Sequence, residues 1–418
     1  MRNLPEKKLP EKKLPEKKLA IRNLSFEING SKILENISME VNQGEFVGII
    51  GPNGAGKTTL LKCISGIYKG NGIIEIDGRD INGMDFKSLA RMTSLMQQNT
   101  EISFPLPVLD IVLTGRYPHM GRMKRESIED RAIARKNMEY TDTLEFEKRP
   151  INEISGGERQ RVLFARTLTQ ESGLILLDEP AASLDISHEE QIFKYSQEQC
   201  DAGRTVIAAV HDLRTAMRHC TRFVLMKHGR IIADGSPEEV LTSENLSEAY
   251  GVNALVYKNR ITGLLDFHIH GVGAASPEKT IHVIGGGGSA AGVLRTLYEN
   301  GYKTTAGVFS MGDSDLASAD VFRIKHIICL PFSEIDEESF NLNVELIKKA
   351  DLTILCDMPF GTQNIKNLES AKFARKLAVI EEDDPAARDY TGGVALAMYM
   401  GLRRNALVTC LARLHEVL

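Results

Sequence analysis

The sequence predicts two successive parallel α/β domains, and three observations carry that reading. A continuous apolar run breaks into a glycine-rich turn and then a helix twice along the chain. The first instance is Glu45-Phe46-Val47-Gly48-Ile49-Ile50 into Gly51, and the second is Ile281-His282-Val283-Ile284 into Gly285-Gly286-Gly287-Gly288. Around each, apolar strands alternate with helical stretches, the signature of a parallel sheet covered by helices. The chain is also 418 residues long, too long for one ordinary domain and long enough to bury two cores.

Taken in order, the elements begin after a tail. Leu-Pro-Glu-Lys-Lys is repeated three times between residues 4 and 19. A proline every fifth residue forbids a regular helix, and so much Lys and Glu leaves little apolar surface to bury. Residues 1–19 are expected to be a disordered tail, with a weak contact to anionic lipid heads as the alternative. From Ile21 the pattern alternates like a β-strand through Phe26, Ile33 and Ile37. The helix after the first glycine loop ends near Ser65-Gly66, and strands and helices alternate through Ile232. Gly251 to Lys279 holds Asn, Gly and a Ser-Pro pair and reads as a connection. The expected organisation is a first domain over 20–255, a linker over 256–279 and a second domain over 280–418. Within the second, strands are expected at 281–284 and 303–309, a helix at 289–300, and apolar runs at 326–331, 352–357 and 376–380.

Composition narrows the class. The net charge of −5 is mild and Lys and Arg are spread along the chain, so charge gives no argument for nucleic acid. Six separated cysteines form no C-x-x-C pair and read as reduced thiols. No run of about eighteen apolar residues is free of charge or glycine, and the N-terminus lacks the layout of a signal peptide. If the protein powers transport, the pore is expected to be another chain.

Gly51-Pro52-Asn53-Gly54-Ala55-Gly56-Lys57-Thr58-Thr59 fits G-x-x-x-x-G-K-[ST] between a strand and a helix. Glycines let backbone N–H groups turn inward around phosphates, and the following helix adds its partial positive charge. Lys57 is expected on the β- and γ-phosphates of ATP, with the Thr58 hydroxyl on Mg²⁺. Ile175-Leu176-Leu177-Asp178-Glu179-Pro180 is a buried strand ending in two carboxylates. Asp178 is placed for the magnesium shell and Glu179 for general-base activation of water.

These motifs, with Ile154-Ser155-Gly156-Gly157-Glu158-Arg159-Gln160 between them, resemble the nucleotide-binding subunit of an ABC transporter, over roughly residues 20 to 255. The resemblance implies a P-loop cassette with a helical subdomain, and two subunits facing head to tail as a homodimer. Ser155, Gly156 and Gly157 of one subunit would contact the γ-phosphate of ATP held by the other. It further implies that Gln98 contacts Mg²⁺ and the attacking water, that Asp185 is the D-loop residue, and that His211 is the switch histidine. The sequence departs from the family pattern at Ile154, Gln97 and Glu158, and Ile28 stands where an aromatic ring usually stacks on adenine. Phe26, on the same strand face, is the expected substitute.

Leu113-Thr114-Gly115-Arg116-Tyr117-Pro118-His119, Leu184-Asp185-Ile186-Ser187-His188 and His211-Asp212-Leu213 resemble the ATPases of iron–siderophore, haem and cobalamin importers. That resemblance implies a protein at the cytoplasmic face of the membrane, working with a permease and an extracellular substrate-binding protein, with iron–siderophore as the first expectation for cargo. The Gly-Arg-Tyr-Pro-His stretch is expected to touch the permease or simply to connect helices. The competing readings are a soluble ABC ATPase not tied to transport and a ligand-regulated enzyme whose chemistry lies in the C-terminal domain.

In the second domain Gly286, Gly288 and Ala291 satisfy G-x-G-x-x-[GA] between strand and helix, and Asp313 and Asp315 follow the next strand where a ribose-binding acid stands. Gly286, Gly288 and Asp313 are the candidate ligand site of a Rossmann-like, ligand-sensing domain. A nucleotide or other phosphate, another small ligand, or tight-turn packing alone would each account for the glycines. His268 and His270 alternate on one strand face, a metal pair without a third ligand nearby. The acidic run at Glu381 to Asp384 reads as either crevice or solvated turn.

Overall fold

The computed structural model describes residues 16–98, 104–121, 125–180, 186–259, 262–270 and 279–418. They form two compact units divided between Gly251 and Val252.

The strands of the first unit are β1 (Lys17–Ile28), β2 (Ser31–Asn42), β3 (Phe46–Ile50), β4 (Asn71–Ile76), β5 (Arg79–Asp80), β6 (Thr93–Met96), β7 (Leu174–Asp178), β8 (Thr205–Ala209), β9 (Arg222–Lys227) and β10 (Arg230–Gly235). An antiparallel sheet has the order β2-β1-β4-β5. A second sheet, β10-β9-β3-β8-β7-β6, is parallel except for β10. Strands β3, β7 and β8 are buried along their whole length, which is why they read as unbroken apolar runs rather than alternating ones. The helix Lys57–Ile64 buries Leu60, Leu61 and Ile64 in one core with Ile49, Leu176, Ile207 and Val224. That packing fixes the loop before the helix against the ends of the strands.

Strand β1 starts at Lys17, inside the segment expected to be tail. Leu19 is fully buried opposite Val41, and Lys17 reaches Glu40 at 2.7 Å, so the last repeat supplies the first core residue of the sheet. The earlier repeats, residues 1–15, lie outside the described residues.

The helices Val108–Leu113, Ile128–Tyr140 and Gly156–Thr169 pack on one another as the helical subdomain. Inside it the guanidinium of Arg116 is buried between Asp130 at 2.9 Å and Glu171 at 2.6 Å and donates to the Thr169 carbonyl. A Cβ at Gly115 would stand 2.4 Å from the Arg166 carbonyl oxygen. His119 Nε2 lies 2.8 Å from the Gln170 carbonyl, so three of the five residues in the Gly-Arg-Tyr-Pro-His stretch make internal contacts, while Tyr117 is exposed.

The second unit begins with the antiparallel pair β11 (Asn253–Lys258) and β12 (Leu265–His270), where the sequence was expected to be linker. Alternation in Asn-Ala-Leu-Val-Tyr-Lys and Leu-Asp-Phe-His-Ile-His explains the pairing, and Asn259 N–H donates to the Leu264 carbonyl at 2.8 Å at its end. Then follow β13 (Thr280–Ile284), β14 (Lys303–Ser310), β15 (Lys325–Cys329), β16 (Leu352–Leu355), β17 (Leu377–Ile380) and β18 (Leu407–Thr409). They form a parallel sheet in the order β15-β14-β13-β16-β17-β18, in which the chain reverses its direction of growth between β13 and β16. Strand β18 was not foreseen, because three residues with an exposed edge carry little apolar signal.

Candidate functional site

The first glycine loop owes its path to steric necessity. Gly51 has φ 146°, and a Cβ there would stand 2.2 Å from the Met226 carbonyl oxygen; Gly56 has φ 103° and would meet Leu34 at 2.8 Å. No side-chain-bearing residue fits either position without displacing backbone or core. The loop curls back so that Lys57 Nζ donates to the carbonyls of Gly51 at 2.8 Å and Pro52 at 3.2 Å. Burial lowers the pKa of this ammonium, while Glu179 and Asp178 oppose that effect.

Beyond the loop is a cavity of about 470 Å³, lined by Asn53, Gly54, Ala55, Gly56, Lys57, Thr58 and Thr59 together with Ile33, Gln98 and Glu179. Thr58 Oγ1 donates to Asp178 Oδ1 at 2.8 Å, and Gln98 Nε2 donates to Glu179 Oε2 at 2.6 Å. Glu179 sits at φ 47°, its N–H donating to the Ala209 carbonyl at 3.1 Å, so the sheet itself fixes the carboxylate at the end of β7. Burial raises the pKa of Asp178 against the Thr58 hydrogen bond. A buried carboxylate held by a hydroxyl, beside a second carboxylate and an amide, fits Mg²⁺, which prefers a few oxygen ligands and keeps its remaining waters.

His211 follows β8 and is exposed; its neighbour Asp212 caps the next helix, accepting from Arg214 N–H at 2.8 Å. Neither His211 nor Ser155, Gly156 or Gly157 is on the cavity lining. Ser155 and Gly156 are exposed at the start of the helix Gly156–Thr169. Asp185 lies outside the described residues.

Three residues acquire a place that sequence reading did not give them. Glu158 closes a capping box: its Oε2 accepts from Ser155 N–H at 2.7 Å, and Ser155 Oγ accepts from Glu158 N–H at 3.3 Å. The signal was present, since Ser-x-x-Glu before a helix is a capping pattern. Ile33 lines the cavity, brought there by the β1–β2 turn. Phe26, expected to replace the aromatic ring on adenine, instead stacks on Tyr68 with centroids 4.9 Å apart and packs on the core. Phe26 is half-buried and is not on the cavity lining. Asp315 of the second unit is a further unforeseen placement.

There the glycine turn meets two carboxylates. Gly287 N–H donates to Asp313 Oδ2 at 2.9 Å, and Ala290 and Ala291 N–H groups donate to the buried Asp315 at 3.0 Å. A Cβ at Gly288, where φ is 88°, would stand 3.1 Å from Ser314 Oγ, whereas one at Gly286 would meet Asp313 at an ordinary contact distance of 3.5 Å. His268 Nε2 pairs with Glu299 at 3.0 Å, and among the described residues no group of three or more His, Cys, Asp or Glu could hold a metal ion.

A family profile described as ABC transporter matches residues 34–182, and one described as MJ0874 family matches residues 304–418. The chain is 33% identical over 320 residues to the cobalamin import ATP-binding protein BtuD of Halobacterium salinarum, covering 76% of this chain and 80% of that protein. It is 38% identical over 241 residues to the hemin import ATP-binding protein HmuV of Deinococcus radiodurans, covering 56% and 91%. To the ferric enterobactin transport ATP-binding protein FepC of Escherichia coli it is 34% identical over 233 residues, covering 55% and 86%. Among solved structures, an inward-facing putative metal-chelate type ABC transporter superposes with a TM-score of 0.54 at 26% identity, covering 61% of this chain and 97% of that one. The ADP conformation of the ATP-binding cassette MJ1267 gives 0.51 at 27% identity, covering 56% and 98%. With the glycine loop and the paired carboxylates in place, this chain belongs to the ABC transporter ATP-binding proteins of import systems and is an ATPase.

Proposed function

We propose that two copies of this protein bind ATP head to tail and drive import of a metal chelate through a separate permease. The observation that carries the reading is the separation within one chain. Lys57, Thr58, Gln98 and Glu179 gather at one cavity, whereas Ser155 and Gly156 stand exposed and Gly157 half-buried at a helix start that is not part of its lining. Backbone N–H groups at a helix start suit phosphate, so a second copy completes each site.

In this reading Lys57 and the loop N–H groups hold the phosphates, Thr58, Asp178 and Gln98 hold Mg²⁺, and Glu179 takes the proton of the attacking water. His211 and Asp185 act from the edge of the closed site. The ion supplies charge neutralisation on the β- and γ-phosphates. The permease contact is supported by exposed Phe86, Phe104 and Tyr117, with Arg91 tying the helix Phe86–Met92 to the Pro118 carbonyl at 2.8 Å. Among the described residues no helix is long and apolar enough to cross a membrane. The reading also places the protein at the cytoplasmic face of the membrane, with an extracellular protein delivering cargo.

For the cargo, a corrinoid stands beside the iron–siderophore expectation. The cobalamin-import relative aligns over 320 residues, more than the first unit of Met1–Gly251 holds. Growth of a deletion strain on single iron or corrinoid sources separates the two.

Replacing Glu179 with Gln keeps ATP binding and removes the base. The expected result is a dimer in the presence of ATP, seen by light scattering, with turnover reduced by roughly 10²-fold or more. A monomer turning over at the normal rate refutes the assignment.

A further inference from the structure

The second unit carries a cavity of about 370 Å³ at the carboxyl ends of β13 to β16, within the usual range for small-ligand sites. It lies where the strand order reverses, the place at which open parallel sheets bind ligands. The glycine turn after β13 forms part of its wall, with Ser310, Asp313, Asn364 and Tyr390 around it.

The chemistry of this wall excludes the ligand its glycines suggest. A dinucleotide needs the N–H groups at the start of the helix after β13 for its pyrophosphate. Those of Gly287, Ala290 and Ala291 already donate to Asp313 or Asp315, at 2.9 to 3.0 Å. Asp315 is fully buried, so solvent does not replace it, and a phosphate would meet two carboxylates at the same donors. No Lys, Arg or His is among the described residues lining the cavity, so no side-chain cation offsets that repulsion. The glycines here admit the protein's own acids.

Among the described residues Asp313 is the only charged group on the lining. Its Oδ2 accepts from Gly287 N–H and its Oδ1 from Asp315 N–H, each at 2.9 Å, and its side chain is half-buried. Each carboxylate oxygen has capacity for about two hydrogen bonds. By that count one acceptor position remains on each oxygen of the same carboxylate. Two adjacent hydroxyls match that pair.

We propose that this cavity binds a small, phosphate-free molecule bearing a vicinal diol, a nucleoside or a sugar, with Asp313 accepting both hydroxyls. This proposal is independent of the transport reading.

The test is calorimetric titration of the full-length protein with the cassette held saturated by magnesium and a non-hydrolysable ATP analogue. Adenosine, ribose, 2′,3′-dideoxyadenosine, AMP and NAD are the probes. Adenosine or ribose is expected to bind, and which of them does distinguishes a nucleoside from a sugar source. The dideoxy compound, AMP and NAD are expected to bind at least tenfold more weakly than adenosine. Asp313→Asn, which retains an acceptor for the glycine turn, is expected to weaken diol binding tenfold or more. AMP or NAD binding as tightly as adenosine overturns the proposal, as does dideoxyadenosine doing so, or silence from both adenosine and ribose. The ranking of probes on the unaltered protein stands whether or not the variant folds.

Discussion

Gln98 donates from Nε2 to the Oε2 of Glu179 at 2.6 Å, joining two residues 81 positions apart at the rim of the ATP cavity. The two come together because β6 and β7 are parallel neighbours, with Met96 opposite Leu177, so the loops that follow them leave the same sheet edge. A hydrogen bond to a charged group contributes about 1.5–3 kcal/mol. Here it orients the carboxylate assigned as general base. Gln98→Ala is expected to lower kcat roughly tenfold to a hundredfold with a smaller change in ATP affinity, measured by steady-state hydrolysis beside nucleotide binding. Equal losses in both would mean that Gln98 serves binding alone.

Glu158 holds the first turn of the signature helix. Hydrogen bonds from Ser155 lower its pKa, so the capping carboxylate is charged at neutral pH. Losing one arm of a cap costs about 0.5–1 kcal/mol. Glu158→Gln retains the acceptor and is expected to match the natural protein in urea unfolding, whereas Glu158→Ala lowers the unfolding free energy of the first unit by that amount and its midpoint with it. Identical curves for both variants would show that the box contributes nothing.

Phe26 and Tyr68 lie stacked, planes 7° apart, with Lys62 Nζ 5.4 Å from the Tyr68 ring centroid. Removing a largely enclosed ring costs about 2–4 kcal/mol. Phe26→Ala is expected to destabilise the first unit by that order while changing ATP affinity less than twofold. A tenfold loss of affinity at unchanged stability would return Phe26 to the nucleotide site.

Much of the site was legible because its chemistry is local in sequence. The glycine loop, its lysine and the carboxylates ending β7 each lie within nine consecutive residues bounded by buried strands, and the pattern of a buried strand differs sharply from that of a turn. What was missed depends on long-range register. By simple alternation Phe26 and Ile28 share a face of β1, yet the register shifts between Phe26 and Glu27, and Phe26 packs against the core while Ile28 is exposed. Likewise Asp315 reads as one more acid after a strand. Only the folded loop places its carboxylate on the N–H groups of Ala290 and Ala291, 25 and 24 residues earlier, and turns a phosphate-type motif into a self-occupied one.

His282, at the centre of β13, gives the second unit its own pH response. The side chain is fully buried, with Nδ1 2.9 Å from Thr305 Oγ1, and burial lowers its pKa from 6.5 to about 4. The unfolded chain takes up a proton as pH falls through about 6.5, whereas the folded unit does not until about pH 4. Stability is therefore unaffected above that range, falls as pH drops through it, and levels off below, a total on the order of 3 kcal/mol. Ordinary carboxylates titrate below about pH 5, so the informative window is pH 6.5 to 5. In that window the second unit of the natural protein is expected to lose about 2 kcal/mol more than that of His282→Gln, followed by denaturant unfolding at each pH. Parallel pH profiles for the two proteins would mean that His282 is protonated inside the fold.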